Sequence, residues 1–350
     1  MGERIVIVGA GAVGAYVGGY FAKAGRDVTM IDPWPANVDA MNEKGLDVSG
    51  MTEAECFHTP IKAMHITNVQ SLMRGGAVDM AFITMKSYDT AWATHLIKDY
   101  LAPDATVVSL QNCINEGTIS EIVRPDQVVG CIAAKIAVEL TGPAEVRRGV
   151  PLGGDKHTVF RVGELDGSES ERIAKIRDML SDIDSAKTTT NLWGERWSKL
   201  CANAMINGLS ACTGLSSNGC ARDDHARGLQ VRLTGEAARV GKALGYNLEA
   251  IGKFPADKWI AALEGDNQAM QEIQDDLLAA CEGRSDDNRP SMAQDIAKGR
   301  RTEIDFINGF IVDKAKEVGL EAPTNADLAS AVRAVERGEA PAAPERVAGI

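Results

Sequence analysis

Arg4-Ile-Val-Ile-Val8-Gly9-Ala-Gly11-Ala-Val-Gly14 stands almost at the start of the chain and decides its fold class. Five apolar, mostly β-branched residues in a row read as a strand buried on both faces. The glycine turn follows directly, then a helical stretch to Ala24 that Gly25 closes as a C-cap. A second strand, Asp27–Ile31, ends at Asp32. Strand, glycine turn, helix, strand and acid come in the order of a dinucleotide-binding fingerprint. The first glycine permits the turn, the second lets a pyrophosphate approach the backbone, and the third lets helix and strand pack closely. The helix N-terminus then meets the phosphate charge. Gly9, Ala10, Gly11, Ala12, Val13 and Gly14 are therefore expected to hold a pyrophosphate, and Asp32 the hydroxyls of an adenosine ribose. Its carboxylate opposes a 2′-phosphate, and Pro33-Trp34-Pro35 brings no cation, which favours NADH over NADPH. The competing reading is a glycine turn that only packs.

Further along, Val78–Thr84 and Thr106–Leu110 read as additional buried strands, followed by Met85-Lys86-Ser87 and Gln111-Asn112. In an open α/β sheet, ligands bind at the carboxyl ends of strands. Lys86 and Asn112 are thus candidates for contacting cofactor or substrate; a helix start and a solvent-facing turn explain them equally well. Residues 130–163 are β-rich in pattern (Cys131–Leu140, Ala144–Arg148, Val159–Val162), with turns at Gly142-Pro143 and Gly153-Gly154. A helix near Ser168–Ser181, a strand at Lys187–Thr189 and a helix start at Thr190-Asn191 complete an expected first domain, residues 1–190.

The remainder, residues 191–332, is helical in pattern, with breaks near Gly214–Gly219, Gly245–Pro255 and Glu282–Pro290. The fold class is therefore α/β: an N-terminal Rossmann-type dinucleotide-binding domain followed by an all-α C-terminal domain. The most informative helix holds Trp197-Ser-Lys199-Leu-Cys-Ala-Asn203-Ala-Met-Ile-Asn207. Its apolar residues leave almost no side for solvent, yet Lys199, Asn203 and Asn207 recur at i, i+4 and i+8. They fall within about 80° of one another over about 12 Å of helix. Polar groups on a buried helix need partners, because an unpaired buried charge costs several kcal/mol. Either they form a hydrogen-bond network joining two helices or they wall a pocket, and the rest of the chain favours the pocket. The acid-rich stretch Ala256–Arg289 reads as a solvated helical arm, with an active-site lid as the alternative. Ser291 opens a long helix running through Phe310, on which Glu303 is carried inward by Ile304, Phe306, Ile307 and Phe310. Ser291 and Glu303 are about 18 Å apart on a straight helix, so they serve different parts of a ligand set. Residues 333–350, rich in Ala, Pro, Glu and Arg, read as a frayed tail.

At 350 residues, 45% hydrophobic and 25% charged, the chain has the length and composition of a two-domain globular protein. A net charge of −12 argues against a nucleic-acid or anionic-membrane surface, whereas a small anionic substrate needs only a few local cations. Seven cysteines without a CxxC pair suggest reduced thiols in the cytoplasm rather than disulfides or zinc. Scattered histidines make a metal centre unexpected. The N-terminal run is acidic at Glu3 and broken by glycines, unlike a signal sequence, and no apolar run reaches the roughly 18 residues that span a bilayer. The helical half could bury an apolar face in a homodimer, but nothing fixes its symmetry.

Several separated segments together resemble the ketopantoate reductases (2-dehydropantoate 2-reductases). They are Gly9–Gly14, Thr84-Met-Lys86, Gln111-Asn112, Trp197-x-Lys199-x3-Asn203-x3-Asn207, and Ser291-Met with Arg301-Thr-Glu303-Ile-Asp305-x-Ile-Asn308-Gly309. The lysine–asparagine helix and the last segment are far more specific than the nucleotide turn. The resemblance implies that Lys199 donates the proton, that Asn203, Asn207, Asn218 and Ser291 bind substrate, and that Gly9–Gly14, Lys86, Asn112 and Glu303 contact the cofactor. It also implies reduction of 2-dehydropantoate to (R)-pantoate, on the route to pantothenate, with NADPH. Asp32 departs from the basic residue usual in the family at that place, and Cys113 from the glycine usual after Asn112.

The chemistry agrees with that transfer. As hydride reaches a 2-keto carbon, negative charge grows on its oxygen, where an ammonium stabilises it and then supplies the proton. Carboxamides hold carboxylate and hydroxyl oxygens without changing the charge balance. Two alternatives remain at this point: a related dehydrogenase for another 2-keto or 2-hydroxy acid, and a dinucleotide sensor without catalysis. The complete lysine–asparagine stripe counts against the sensor.

Overall fold

In the computed structural model, which describes residues 2–283 and 285–350, the chain forms two compact units, Met1–Leu192 and Trp193–Ile350. The first begins with β1 (Arg4–Val8), α1 (Ala12–Lys23), β2 (Asp27–Asp32) and α2 (Pro35–Lys44). Three short strands follow, β3 (Leu46–Ser49), β4 (Phe57–Thr59) and β5 (Lys62–His65). Then come β6 (Val78–Ile83), α3 (Thr90–Ile97), β7 (Leu101–Ser109), α4 (Glu116–Ser120) and β8 (Val128–Ala133). β9 (Val138–Gly142), β10 (Glu145–Arg148), β11 (Phe160–Glu164), α5 (Glu171–Ser181) and β12 (Ala186–Thr188) complete it.

The main sheet has eight strands in the order β12-β11-β8-β7-β6-β1-β2-β5. Its pairs are parallel except β8 with β11. The unbroken apolar runs in β1, β6 and β7 have the expected cause: Ile5–Val8, Ala81–Ile83, Val107 and Val108 are 0–1% exposed, with both sheet faces covered. A second sheet, β4-β3-β10-β9, was not foreseen, because its strands are three to five residues long and β10 pairs in parallel with a distant β3. Helix α1 is clamped between the two sheets through adjacent glycines. A Cβ on Gly18 would stand 2.8 Å from Ile7 Cδ1, and one on Gly19 would stand 2.8 Å from Leu46 Cδ2. The buried pair Arg148–Asp184, 2.7 Å apart with side chains 0% and 1% exposed, ties the second sheet to the segment before β12. Burial opposes the charge on Asp184. The amides of Gly153, Ser185 and Gly154, with Arg148, outweigh it and hold the carboxyl below its usual range. The expected strand Cys131–Leu140 is two strands, interrupted where Lys135 and Ala137 take positive φ (56° and 36°).

The second unit holds most of α6 (Leu192–Thr213), then α7 (Ser217–Arg222), α8 (Asp224–Ala243), α9 (Ala256–Leu263) and α10 (Asn267–Ala279). α11 (Ser291–Ala297), α12 (Asn308–Glu317) and α13 (Pro323–Glu336) follow. Three expectations are corrected here. The long helix from Ser291 to Phe310 does not exist: α11 stops at Ala297, Gly299 turns the chain at φ +60°, and Thr302 is held through its N–H and hydroxyl by Glu336 of α13. The 18 Å separation of Ser291 and Glu303 therefore does not apply. The acid-rich stretch is no solvated arm, since Ala256, Trp259, Ala262, Ala269 and Ile273 are buried and α9 and α10 pack on α8. Its acids occupy only the outer faces. The expected frayed tail is docked: Ala343 N–H donates to Cys212 O (2.9 Å), the Val347 carbonyl meets His225 Nε2 (2.8 Å), and Val347 is 2% exposed. Val347 and these two hydrogen bonds seat it.

No disulfide is present among the described residues, and all the cysteines but Cys56 are buried. Burial pushes the Cys212 and Cys220 thiols up to about 12. Among the described residues, no helix is long and apolar enough to cross a membrane.

Candidate active site

In the first unit the fingerprint residues gather at the carboxyl ends of parallel strands. Gly9 follows β1 with φ +107°, and its N–H donates to Ile31 O of β2 (2.7 Å). A Cβ on Gly14 would collide with Gly9 O and stand 2.6 Å from Thr84 Oγ1, whereas around Gly11 there is nothing within 4 Å. Two of the glycines are thus obligatory for packing, and the middle one leaves space beside the backbone. Helix α1 has no side-chain N-cap and no acid in its first turn, so its first amides offer their partial positive charge to an anion. These are the features a pyrophosphate requires. Thr84 braces the loop by donating to Val8 O (3.0 Å) and Gly9 O (2.6 Å). Asn37 Nδ2 donates to Ala10 O (3.1 Å), and its Oδ1 accepts from Ala144 N (2.8 Å). We expect Gly14→Ala to abolish measurable dinucleotide binding in a calorimetric titration; binding within tenfold of the native protein would contradict that packing.

Asp32 ends β2, is 7% exposed and accepts from Trp34 N (2.9 Å). Burial pushes its carboxyl up, while the amides of Trp34 and Ala10 and the nearby His65 pull the other way. Lys86 caps the turn after β6, and Asn112 lies after β7. Gln111 Nε2 donates to Met85 O (2.7 Å), and Asn115 Nδ2 to Asn112 O (2.8 Å) and Ser87 Oγ (3.2 Å). The two turns are thereby stitched side by side. Cys113 is buried with φ +66°, a conformation natural to glycine. Reading by motif missed Thr84, Asn37, Gln111 and Asn115 as braces, because the first three act on backbone groups, and Asn115 on the Ser87 hydroxyl, far away in the chain.

In the second unit, Trp197 anchors α6 by donating from its indole to Ala237 O of α8 (2.8 Å), and is itself 0% exposed. The helix is not enclosed all round as its composition suggested. Leu200, Cys201, Ala204 and Leu209 are buried, but Lys199, Ala202, Asn203 and Ile206 are half-buried. At spacings of three and four these form one strip, and Asn207 beside it is 7% exposed. Asn203 Nδ2 is buried without a hydrogen-bond partner among the described residues. The network that does join helices is a different one. Asn308 Nδ2 donates to Ala204 O of α6 (3.2 Å) and Asn325 Oδ1 (2.9 Å), and Asn325 Nδ2 donates to Glu236 Oε2 of α8 (2.8 Å). All three side chains are at most 2% exposed. Behind the lysine–asparagine strip, α6 is therefore pinned by a polar core that spacing did not reveal.

Of the other residues singled out from sequence, Asn218 lies in α7 and is 1% exposed, and Ser291 opens α11 and is exposed. Glu303 is 5% exposed, directly before Ile304, whose side chain abuts Gly208 of α6.

The comparisons bear on both units. Residues 5–159 match the family model described as "Ketopantoate reductase PanE/ApbA", and residues 191–336 the one described as its C terminal. A 2-dehydropantoate 2-reductase of Pyrococcus horikoshii is 31% identical over 338 residues, 95% of this chain and 97% of its own. A PanE/ApbA family ketopantoate reductase from Ralstonia eutropha, solved by crystallography, is 26% identical with a TM-score of 0.76, covering 96% of this chain and 99% of its own. A D-mandelate dehydrogenase solved with NADH and anilino(oxo)acetate reaches a TM-score of 0.78 at 22% identity, over 96% of this chain and 99% of its own. That last likeness is one of fold alone.

Proposed function

Because the chain belongs to the ketopantoate reductase family and is an oxidoreductase, we propose that it reduces the ketone of 2-dehydropantoate to (R)-pantoate at the expense of NAD(P)H. The observation that carries this reading is the half-buried strip of α6, where Lys199 lies beside an asparagine whose amide nitrogen has no hydrogen-bond partner among the described residues. A buried, unsatisfied donor costs about 1–3 kcal/mol, which a ligand oxygen would recover. A reduced nicotinamide, when bound, supplies the hydride.

The chain's own residues do the rest. The α1 amides and Gly11 hold the pyrophosphate, Asp32 takes the ribose hydroxyls, and Lys86, Asn112 and Glu303 contact the remainder of the dinucleotide. The Lys199 ammonium faces the ketone oxygen, stabilises the charge developing there, and releases one Nζ proton to it to form the alcohol. Asn203, Asn207, Asn218 and Ser291 orient the carboxylate and hydroxyl ends. Excluding water strengthens each of these contacts, because charges interact more strongly in a low dielectric.

A panel of 2-keto acids assayed with both reduced cofactors tests the proposal. We expect 2-dehydropantoate to exceed other branched keto acids in kcat/KM by at least tenfold. A better substrate among the others would replace this reading with a dehydrogenase for a different keto acid, which Cys113 beside the nicotinamide turn also favours. In the same assay the Asp32 carboxylate is expected to make NADH the better donor by about tenfold, or 1.4 kcal/mol, and Asp32→Ala to narrow that ratio. A native preference for NADPH contradicts the role given to Asp32.

A further inference from the structure

Ala134-Lys135-Ile136-Ala137 joins β8 to β9 in a conformation its residues do not favour. Lys135 and Ala137 both take positive φ, 56° and 36°, a region natural to glycine. The surrounding structure enforces it. Ala134 N donates to Val159 O (2.9 Å), Gly149 N donates to Ala137 O (2.9 Å), and Ile136 is buried in the apolar core of the first unit. Strained positions of this kind cluster at functional sites. Glycine would relieve the strain, so the lysine side chain itself needs a reason. It is exposed and makes no ion pair or hydrogen bond with a described residue.

The strand order indicates what this side chain meets. β2, β1, β6, β7 and β8 are successive, mutually parallel neighbours, so their carboxyl ends share one edge, where ligands bind. A dinucleotide with its ribose at Asp32 of β2 and its pyrophosphate after β1 brings its nicotinamide to β6 and β7, beside Lys86 and Asn112. The next place along is that of Lys135, just past the end of β8 and one strand spacing, about 5 Å, beyond β7. A keto acid must touch the nicotinamide to receive a hydride, so it extends into this place. β11 runs antiparallel to β8, with Phe160 opposite Ala133, so its start lies at the same edge. The imidazole of His157, shortly before β11, is held below its usual pKa first by burial and then by the Lys135 ammonium. That ammonium therefore stands close to the ligand edge.

We propose that Lys135 is a further substrate-binding residue, whose ammonium supplies the cation for the carboxylate of the 2-keto acid. This rests on the functional reading above, in which Lys199 is committed to the ketone oxygen and the carboxylate otherwise meets only neutral amide and hydroxyl groups. A hydrogen bond between two ionised groups is shorter and stronger than one between neutral groups. The carboxylate keeps its charge from the bound keto acid through the transition state. The contact is therefore equally strong in both, and its loss falls on KM rather than kcat.

The test is steady-state kinetics with 2-dehydropantoate and the better of NADH and NADPH, on native protein, Lys135→Gln, Lys135→Arg and Lys135→Gly. Lys135→Gln removes the charge from a side chain of similar length, and should raise KM at least fivefold with kcat within twofold. Lys135→Arg keeps the charge and should bring KM back to within twofold of native. Lys135→Gly should show the same rise in KM while unfolding at a temperature no lower than the native protein's, because glycine is at ease at this φ. A loss of that kind cannot come from a weakened fold. Dinucleotide Kd, by calorimetric titration, should stay within twofold in all three variants. The proposal is overturned, with the function left standing, by a KM rise under fivefold in Lys135→Gln or by an Arg variant no better than the Gln one. A fall in kcat or in dinucleotide affinity as large as the rise in KM overturns it too, since that marks a merely structural role. If native protein oxidises neither NADH nor NADPH with 2-dehydropantoate, the functional reading fails and this proposal falls with it.

Discussion

Lys199→Ala is expected to lower kcat by about 100- to 10,000-fold, the range that positioned proton donors supply, while the protein stays folded. The substitution is benign for the helix, because alanine has the highest helix propensity and residue 199 is only half-buried in α6. The loss falls on turnover because charge on the ketone oxygen exists in the transition state and not in the bound keto acid. KM should therefore move much less than kcat, and dinucleotide affinity, to which Lys199 contributes no assigned contact, should not change. Lys199→Arg keeps the charge but gives up its proton far less readily, so it should recover binding and little turnover. Steady-state kinetics with a circular dichroism spectrum decide the matter. A loss under tenfold, about 1.4 kcal/mol of barrier, in a folded variant would remove Lys199 from the proton-donor role.

Glu236→Ala is expected to cost about 3–5 kcal/mol of stability, far beyond what deleting a surface carboxylate does. α13 starts after Ala322 with a proline at N1 and has no side-chain cap of its own. Its first-turn amides are served from α8 instead, with Thr324 N donating to Glu236 Oε1 (3.0 Å) and Asn325 N to Oε2 (3.1 Å). Asn325 Nδ2 adds a third donor at 2.8 Å. The carboxylate also lies at the positive end of the helix dipole. Truncation leaves three buried donors, each worth about 1–3 kcal/mol if it stays unpaired, though relaxation recovers part of this. Because Asn325 in turn supports Asn308 on the α6 backbone, activity should fall with stability even though no substrate-binding group has been removed. Urea unfolding followed by tryptophan fluorescence is the measurement. A midpoint corresponding to a loss under about 1 kcal/mol would show that α13 does not depend on this cap.

Why some of this was legible in the amino-acid order and some was not follows from the range of the interactions. The turn from Val8 to Gly14 was legible because close approach there tolerates only hydrogen for a side chain, and the helix start lies beside it in the chain. The strip on α6 was legible because helical periodicity projects residues 199, 203 and 207 onto one side whatever surrounds them. The supposed helix from 291 to 310 failed where a local signal, Gly299, was outvoted by apolar periodicity. Its actual course depends on Glu336, more than thirty residues away.

Taken alone, the order of residues determined the parallel nucleotide-binding sheet, the helical second half and the side of α6 that carries lysine and asparagine, since each follows from neighbours within a few turns. Tertiary structure alone decided that Glu236 caps α13, that Asn308 pins α6, that Asp286 accepts from the Asn218 amide, and that the acid-rich stretch and the tail pack down. In each of those cases a polar atom's partner, or an apolar side chain's cover, comes from a distant segment. Only chain closure brings such groups within the roughly 3 Å over which a hydrogen bond acts.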